Sequence, residues 1–314
     1  MRSTLLFAAL ALALGTAEAA ETQRYVVLTP EATIGHLHAT VDGDTVSVDY
    51  DVKDNGRGPT MKETLRLSEA GLPVEWSITG ATTFGSKVDE RFSLEGDKAT
   101  WKDAVGTGES TEAANALYIG QSGTPWALGV YARALMADAD GRIATLPGGE
   151  LRIEKGDTIE VGRGDAKQTV QRVTLSGLDL DPTHLLLEAD GDLFAVLATR
   201  GLLIREGFDA DAERLRRLTV DLGEQRFIAM QAETAHRYPY PVRIRNVRVF
   251  DPKTGTRSEP VNVVFHGRRI SGIQPLDMPG TGLEVLVDGE GGTLVPGLYE
   301  MHGHIGQNRT VLNL

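Results

Sequence analysis

Thr33-Ile34-Gly35-His36-Leu37-His38-Ala39-Thr40-Val41 and Thr45-Val46-Ser47-Val48-Asp49-Tyr50-Asp51-Val52 flank the short segment Asp42-Gly43-Asp44. Two runs rich in β-branched residues around Asp-Gly predict a β-hairpin. In the second run apolar and polar residues alternate, so one face is buried and the other solvated. A helix would repeat its apolar residues every three to four positions; here the period is two. The hairpin therefore sets an antiparallel, mainly β reading for its surroundings.

Working outward, Asp54-Asn55-Gly56-Arg57-Gly58-Pro59 is a turn cluster that ends the second strand. Strands are expected at Glu63–Leu67, Pro73–Thr79, Lys87–Leu94 and Lys98–Lys102, the last two joined by Glu95-Gly96-Asp97. Pro125 to Ala137 predicts a helix, because Leu128, Tyr131, Ala132 and Leu135 share one face and Pro125 sits near the start. Strands resume at Glu150–Lys155, Thr158–Gly162, Gln168–Ser176, His184–Glu188 and Phe194–Thr199. Asp209 to about His236 predicts a long helix, capped by Asp209 or Asp211 and striped by Leu215, Leu218 and Leu222. Tyr238-Pro239-Tyr240-Pro241 cannot continue a helix and predicts an extended linker.

Composition narrows the function classes. The 314 residues carry a net charge of −12 with a pI of about 5.1. An acidic surface repels phosphates, which argues against nucleic acid and anionic membranes as partners. There is no cysteine, hence no disulfide and no thiolate chemistry. Residues 1–20 have the pattern of a secretory signal: Arg2, an apolar run from Leu5 to Leu14, and Ala17-Glu18-Ala19. The expected location is a bacterial periplasm or the extracellular space, with no membrane insertion once the signal is removed.

The candidate chemistry lies at the other end. Leu294-Val295-Pro296-Gly297-Leu298-Tyr299-Glu300-Met301-His302-Gly303-His304 leads an apolar run through Pro-Gly into two histidines. In a strand, positions i and i+2 point to the same side, so His302 and His304 can present two imidazoles to one metal ion. Ten residues follow His304, and none is His, Cys, Asp or Glu.

This stretch resembles the first barrel strand of the metal-dependent amidohydrolase superfamily. Val242 to Phe250, Val261 to Phe265, the turn His266-Gly267-Arg268, Arg269 to Ile273, Val285 to Asp288 and Gly291-Gly292 resemble that family's lead-in. Glu300 stands where the family more often has Asp. The motifs Asp54 to Pro59, Val88-Asp89-Glu90-Arg91-Phe92, Ala99-Thr100-Trp101-Lys102 and Leu203-Ile204-Arg205-Glu206-Gly207 resemble the β-rich domain preceding the barrel in large secreted bacterial members. The resemblance implies a mainly β chain with a few helices: an N-terminal antiparallel β domain, half of a β-sandwich, and the first strand of a (β/α)8 barrel that is otherwise absent. The divisions are 1–20 for the signal, 21–241 for the β-rich domain, 242–290 for the sandwich half and 291–314 for the start of the barrel. It further implies a divalent metal, zinc, held in part by His302 and His304. Such a metal activates water to hydrolyse a small amide-type substrate at a C–N bond. The remaining ligands and the catalytic base lie on later strands of the family's barrel, so this chain alone is expected to be inactive and no catalytic residue is assigned. The competing expectation is a non-catalytic secreted β module that binds or packs. The oligomeric state stays open.

Other features carry blander readings. His36 and His38 could share a metal with Asp42 or Asp44, but such a pair more often lies on the polar face of a surface strand. Arg163-Gly164-Asp165 sits in a Gly-rich turn. No Gly-x-Ser-x-Gly occurs, and Ser122 falls in a turn. Trp76, Trp101 and Trp126 are scattered and expected in core or interface packing.

Overall fold

Fifteen strands join one continuous sheet in the computed structural model, which describes residues 20–297. Strands β1 (Glu21–Leu28), β2 (Thr33–Asp42), β3 (Thr45–Val52), β4 (Thr60–Leu67), β5 (Pro73–Ala81), β6 (Lys87–Glu95), β7 (Lys98–Lys102) and β8 (Thr107–Ser110) form an antiparallel meander. After β9 (Leu117–Tyr118) and helix α1 (Ala127–Ala137) come β10 (Arg142–Leu146), β11 (Glu150–Val161), β12 (Gln168–Ser176), β13 (Thr183–Leu187), β14 (Leu193–Val196) and β15 (Leu202–Arg205). The return run ends with β15 pairing antiparallel to β1, while β9 and β10 pair in parallel. The edges of the sheet are therefore β8 and β9.

Those two edges are neighbours in the chain. Laid flat, fourteen inter-strand spacings would hold them about 67 Å apart. The connection at residues 111–116 can span only about 25 Å. The sheet must curl until its edges approach. The Ala113 amide donates to the Asp97 carbonyl at 3.0 Å, which ties this connection to the β6–β7 turn.

The inside of the curl is the main core. The period of two in β3 puts Val46, Val48 and Val52 inward, joined by Leu37, Leu65, Trp76, Ile78 and Phe92 from neighbouring strands. Helix α1 is buried nearly all round, through Ala127, Val130, Tyr131, Ala132, Ala134 and Leu135. A helix apolar on all sides belongs in an interior, and residues of α1 and of the sheet share one cluster.

A second cluster covers the opposite face of the return strands. Helix α2 (Ala212–Thr234) packs Leu215, Leu218 and Leu222 onto Val161, Leu186, Phe194, Ala195 and Ile204. Strands β13 to β15 are thus buried on both faces, and they read as unbroken apolar runs, Leu185-Leu186-Leu187 and Leu202-Leu203-Ile204. Asp211 sits at the start of α2. Its carboxylate accepts from the Gly162 amide at 2.7 Å and from Arg214 Nη2 at 2.7 Å, anchoring the helix to β11.

Gln225 begins a second compact unit, described by itself. It contains β16 (Val242–Asp251), β17 (Thr256–Arg257), β18 (Val261–His266), β19 (Arg269–Pro275), β20 (Val285–Asp288) and β21 (Thr293–Leu294). The order is β17-β16-β18-β19, with β20 and β21 running parallel to β16. Asn246 takes a left-handed conformation at φ 53 where the β16–β18 register shifts, a position asparagine tolerates.

Most expected strands and both helices occur within a few residues of their expected bounds. The two strands expected at 150–162 are one strand. Gly156 and Asp157 both face Arg172 between the Lys155–Val173 and Thr158–Gln171 pairs, a β-bulge that reads in sequence as a break. Only the coarse part of the architectural expectation stands: mainly β, with a large antiparallel sheet and two helices. The small second sheet has no feature specific to an amidohydrolase sandwich. The barrel strand, His302 and His304 lie outside the described residues, as do residues 1–19 of the expected signal.

Candidate binding cleft

The curl leaves a cleft where its edges meet. It has a volume of about 440 Å³. One wall comes from β7 and the turn into β8, with Trp101, Asp103, Val105 and Thr107; the other comes from β9, β10 and their flanks, with Ile119, Gln121, Leu146, Pro147 and Leu178. Gln121 bridges the walls, its side-chain oxygen accepting from the Ala104 amide at 3.2 Å. Trp101 lies across Gly108 of the neighbouring strand, where an added Cβ would come within 2.3 Å of the indole. A side chain at 108 would therefore lift the indole from the cleft wall.

Two buried glutamates hold the loop that carries Gln121. In Met61-Lys62-Glu63-Thr64-Leu65 and Val88-Asp89-Glu90-Arg91-Phe92 the alternation turns Glu63 and Glu90 inward, on either side of Ile78. Glu90 accepts from the Tyr118 hydroxyl at 2.8 Å and from the amides of Gln121 and Ser122 at 2.9 Å each. Glu63 accepts from the Thr124 amide. The Gly120 amide donates to the Tyr131 hydroxyl at 3.1 Å, so α1 holds the same loop from inside.

Burial sets the electrostatics. Desolvation pushes the Glu63 carboxyl up to about 7 against the pull of the Thr124 amide, with the nearby Glu90 charge adding to the rise. The Thr124 hydroxyl and the Trp76 indole N–H lie near this carboxyl. Neither they nor Glu63 Oε2 reach good hydrogen-bond geometry. Burial also raises the Tyr118 hydroxyl, followed by its hydrogen bond to Glu90, and raises Tyr131. Phe92 stacks on Tyr118 at 4.3 Å between ring centres, and Trp101 approaches the same ring at 6.4 Å. Trp101 is thus the cleft's link to an aromatic layer of Phe92 and Tyr118 in the core, beside two carboxylates that face backbone amides.

The histidine pair of β2 does not build a metal cage. His36 and His38 stack at 4.6 Å, and His36 faces Asp49 of β3 at 3.6 Å; Asp42 and Asp44 belong to the hairpin end. Among the described residues no group of three or more His, Asp or Glu is placed to hold a metal. Trp76 and Trp126 are core residues, while Trp101 lines the cleft. The sequence reading missed both glutamates. An acidic residue at an inward position of an alternating strand is the signal that would have found them.

No protein-family model matches the chain. No curated protein matches it either. Among solved structures, the chain is similar to a β-barrel-like protein of the domain of unknown function DUF1849 from Brucella abortus. Identity is 12%, coverage is 59% of this chain and 94% of that one, and the TM-score is 0.38. It is also similar to a DUF1089 family protein from Pseudomonas aeruginosa, at 16% identity over 65% of this chain and 98% of that one, with a TM-score of 0.26. These findings correct the amidohydrolase assignment: no family model and no curated protein supports that superfamily. The residues that suggested it, such as Val242 to Phe250 and Val261 to Phe265, are strand patterns that any small sheet with tight hairpins adopts.

Proposed function

We propose that this chain is a non-catalytic, secreted β-rich binding module whose cleft takes an extended apolar ligand such as an acyl chain. The observation that carries the reading is the cleft itself: Trp101, Val105, Ile119, Leu146, Pro147 and Leu178 line about 440 Å³ where the sheet edges meet. Concave sites with apolar walls and a few polar groups are the usual form of small-ligand pockets. The polar groups fit a binding role as well. Glu63 and Glu90 are engaged with backbone amides behind the cleft and do not line it.

Titration with a fluorescent long-chain fatty acid tests the reading. Saturable binding at one site per chain is expected, with energy transfer from Trp101 lost in Trp101→Phe. Trp101→Ala and Leu146→Glu should each weaken binding at least tenfold, and Gly108→Val should do so by displacing the indole. Burying an apolar side chain of this size contributes roughly 1.5–3 kcal/mol, so a tenfold loss is a modest demand. Equal binding by wild type and all three variants would remove the cleft from consideration.

A further inference from the structure

The cleft between the sheet edges carries charge of one sign. Of the described residues that line it, Asp103 alone is ionisable; no Lys, Arg or His is among them. Asp103 Oδ1 accepts from the amides of Val105 and Gly106 at 2.7 and 2.9 Å, which fixes the carboxylate at the turn between β7 and β8. Its charge reaches the Tyr118 hydroxyl and adds to the rise of that group. A second carboxylate stands behind the wall, where Glu90 accepts from the amide of Gln121, itself a lining residue. The cations of the adjoining strands are engaged by other carboxylates. Lys102 pairs with Asp89 at 3.2 Å, and Arg152 pairs with Glu150 at 2.6 Å.

A concave site with apolar walls and charge of one sign focuses its field on whatever enters. An anionic head would meet Asp103 with no cation to offset it, so a carboxylate amphiphile must turn its head out to water. A cationic head gains twice, from the Asp103 carboxylate and from the Trp101 indole two residues away on the same wall. Taking the cleft as the ligand site proposed above, we infer that its ligand is a cationic amphiphile, a long-chain amine or quaternary ammonium. The head meets Asp103 and Trp101, and the chain lies against Ile119, Leu146, Pro147 and Leu178.

Displacement of a neutral fluorescent long-chain alcohol from the full chain tests the selection. The competitors are decyltrimethylammonium, decanol and decanoate, each below its micelle concentration, at neutral pH and constant ionic strength. The ammonium is expected to bind at least tenfold more tightly than decanoate, with decanol between them, and the ratio should shrink as salt is added. Asp103→Asn keeps an oxygen for the two turn amides and removes the charge; it should cut the ammonium-to-decanoate ratio at least fivefold. Thr107→Lys, at an exposed lining position, brings a cation to the cleft and should tighten decanoate at least threefold, a gain that a misfolded variant cannot mimic. If neither the probe nor decanol binds saturably, the cleft fails as a ligand site and the charge selection falls with it. If both bind but the ammonium and decanoate bind equally, or the ratio is unchanged in Asp103→Asn, the cleft stands and the charge selection alone is overturned.

Discussion

Replacing Glu90 by alanine is expected to destabilise the first unit by about 3–5 kcal/mol, the range reserved for the loss of a buried network. The carboxylate is 2% exposed and accepts three hydrogen bonds, from the Tyr118 hydroxyl and the amides of Gln121 and Ser122. Removing it leaves one buried hydroxyl and two part-buried amides without a partner, at up to roughly 1–3 kcal/mol each and less where water can replace the carboxylate. The full sum is not reached, because a buried charge is removed at the same time and the loop can relax. The loss should extend to the cleft, since Gln121 is both held by Glu90 and bridged to Ala104. Urea denaturation of wild type and variant measures the effect. Arg91→Ala, the outward neighbour, should stay within about 1 kcal/mol, because its ion pair with Asp89 is solvent-exposed. A change below about 1 kcal/mol in Glu90→Ala would mean that the loop is held by α1 and the core alone.

What could be read from the sequence follows from the range of each signal. The β3 strand, Thr45–Val52, and β12, Gln168–Ser176, were expected at their observed bounds because their alternation runs for eight or nine residues. The face of α2 was legible for the same reason: Leu215, Leu218 and Leu222 repeat at helical spacing. Strands β8 and β9, of four and two residues, are too short to show a period. They are nevertheless the edges whose approach creates the cleft, so the closure was not legible. The cleft joins Trp101 to Leu146 and Leu178, and nothing local relates such distant residues. Glu63 and Glu90 were legible as inward positions, but their partners Gln121, Ser122 and Thr124 lie some 30 to 60 positions further on. The resemblance drawn from Val242 onward failed for a related reason. Short β-branched strands and Gly turns specify a small sheet, and a small sheet is shared by many families.

Glu63 should make the first unit less stable as pH rises from about 4.5 to about 7. Its folded carboxyl titrates near 7, raised first by burial, against an ordinary value of 4.5. Below 4.5 both folded and unfolded states hold the proton, and the stabilising contribution is fully present. Between the two values the unfolded chain releases the proton while the folded chain keeps it, so stability falls with rising pH. Above about 7 both are ionised and the loss is complete. At 1.36 kcal/mol per unit the total is about 3 kcal/mol, an order-of-magnitude figure. The geometry gives this a cause: a proton on Oε2 would supply a donor for the Thr124 hydroxyl, which has no hydrogen-bond partner among the described residues. Other groups titrate in the same window. His38, held below its usual value first by burial and then by His36, adds stability as pH rises. The informative quantity is therefore the difference between wild type and Glu63→Gln, which stays neutral throughout. The variant should gain about 3 kcal/mol on wild type between pH 4.5 and pH 8, read from urea denaturation at each pH. A constant difference across that range would mean that the Glu63 carboxyl titrates at its ordinary value in the folded chain as well. The loop would then be held by two carboxylates throughout the neutral range, and the cleft would carry no link to protonation there.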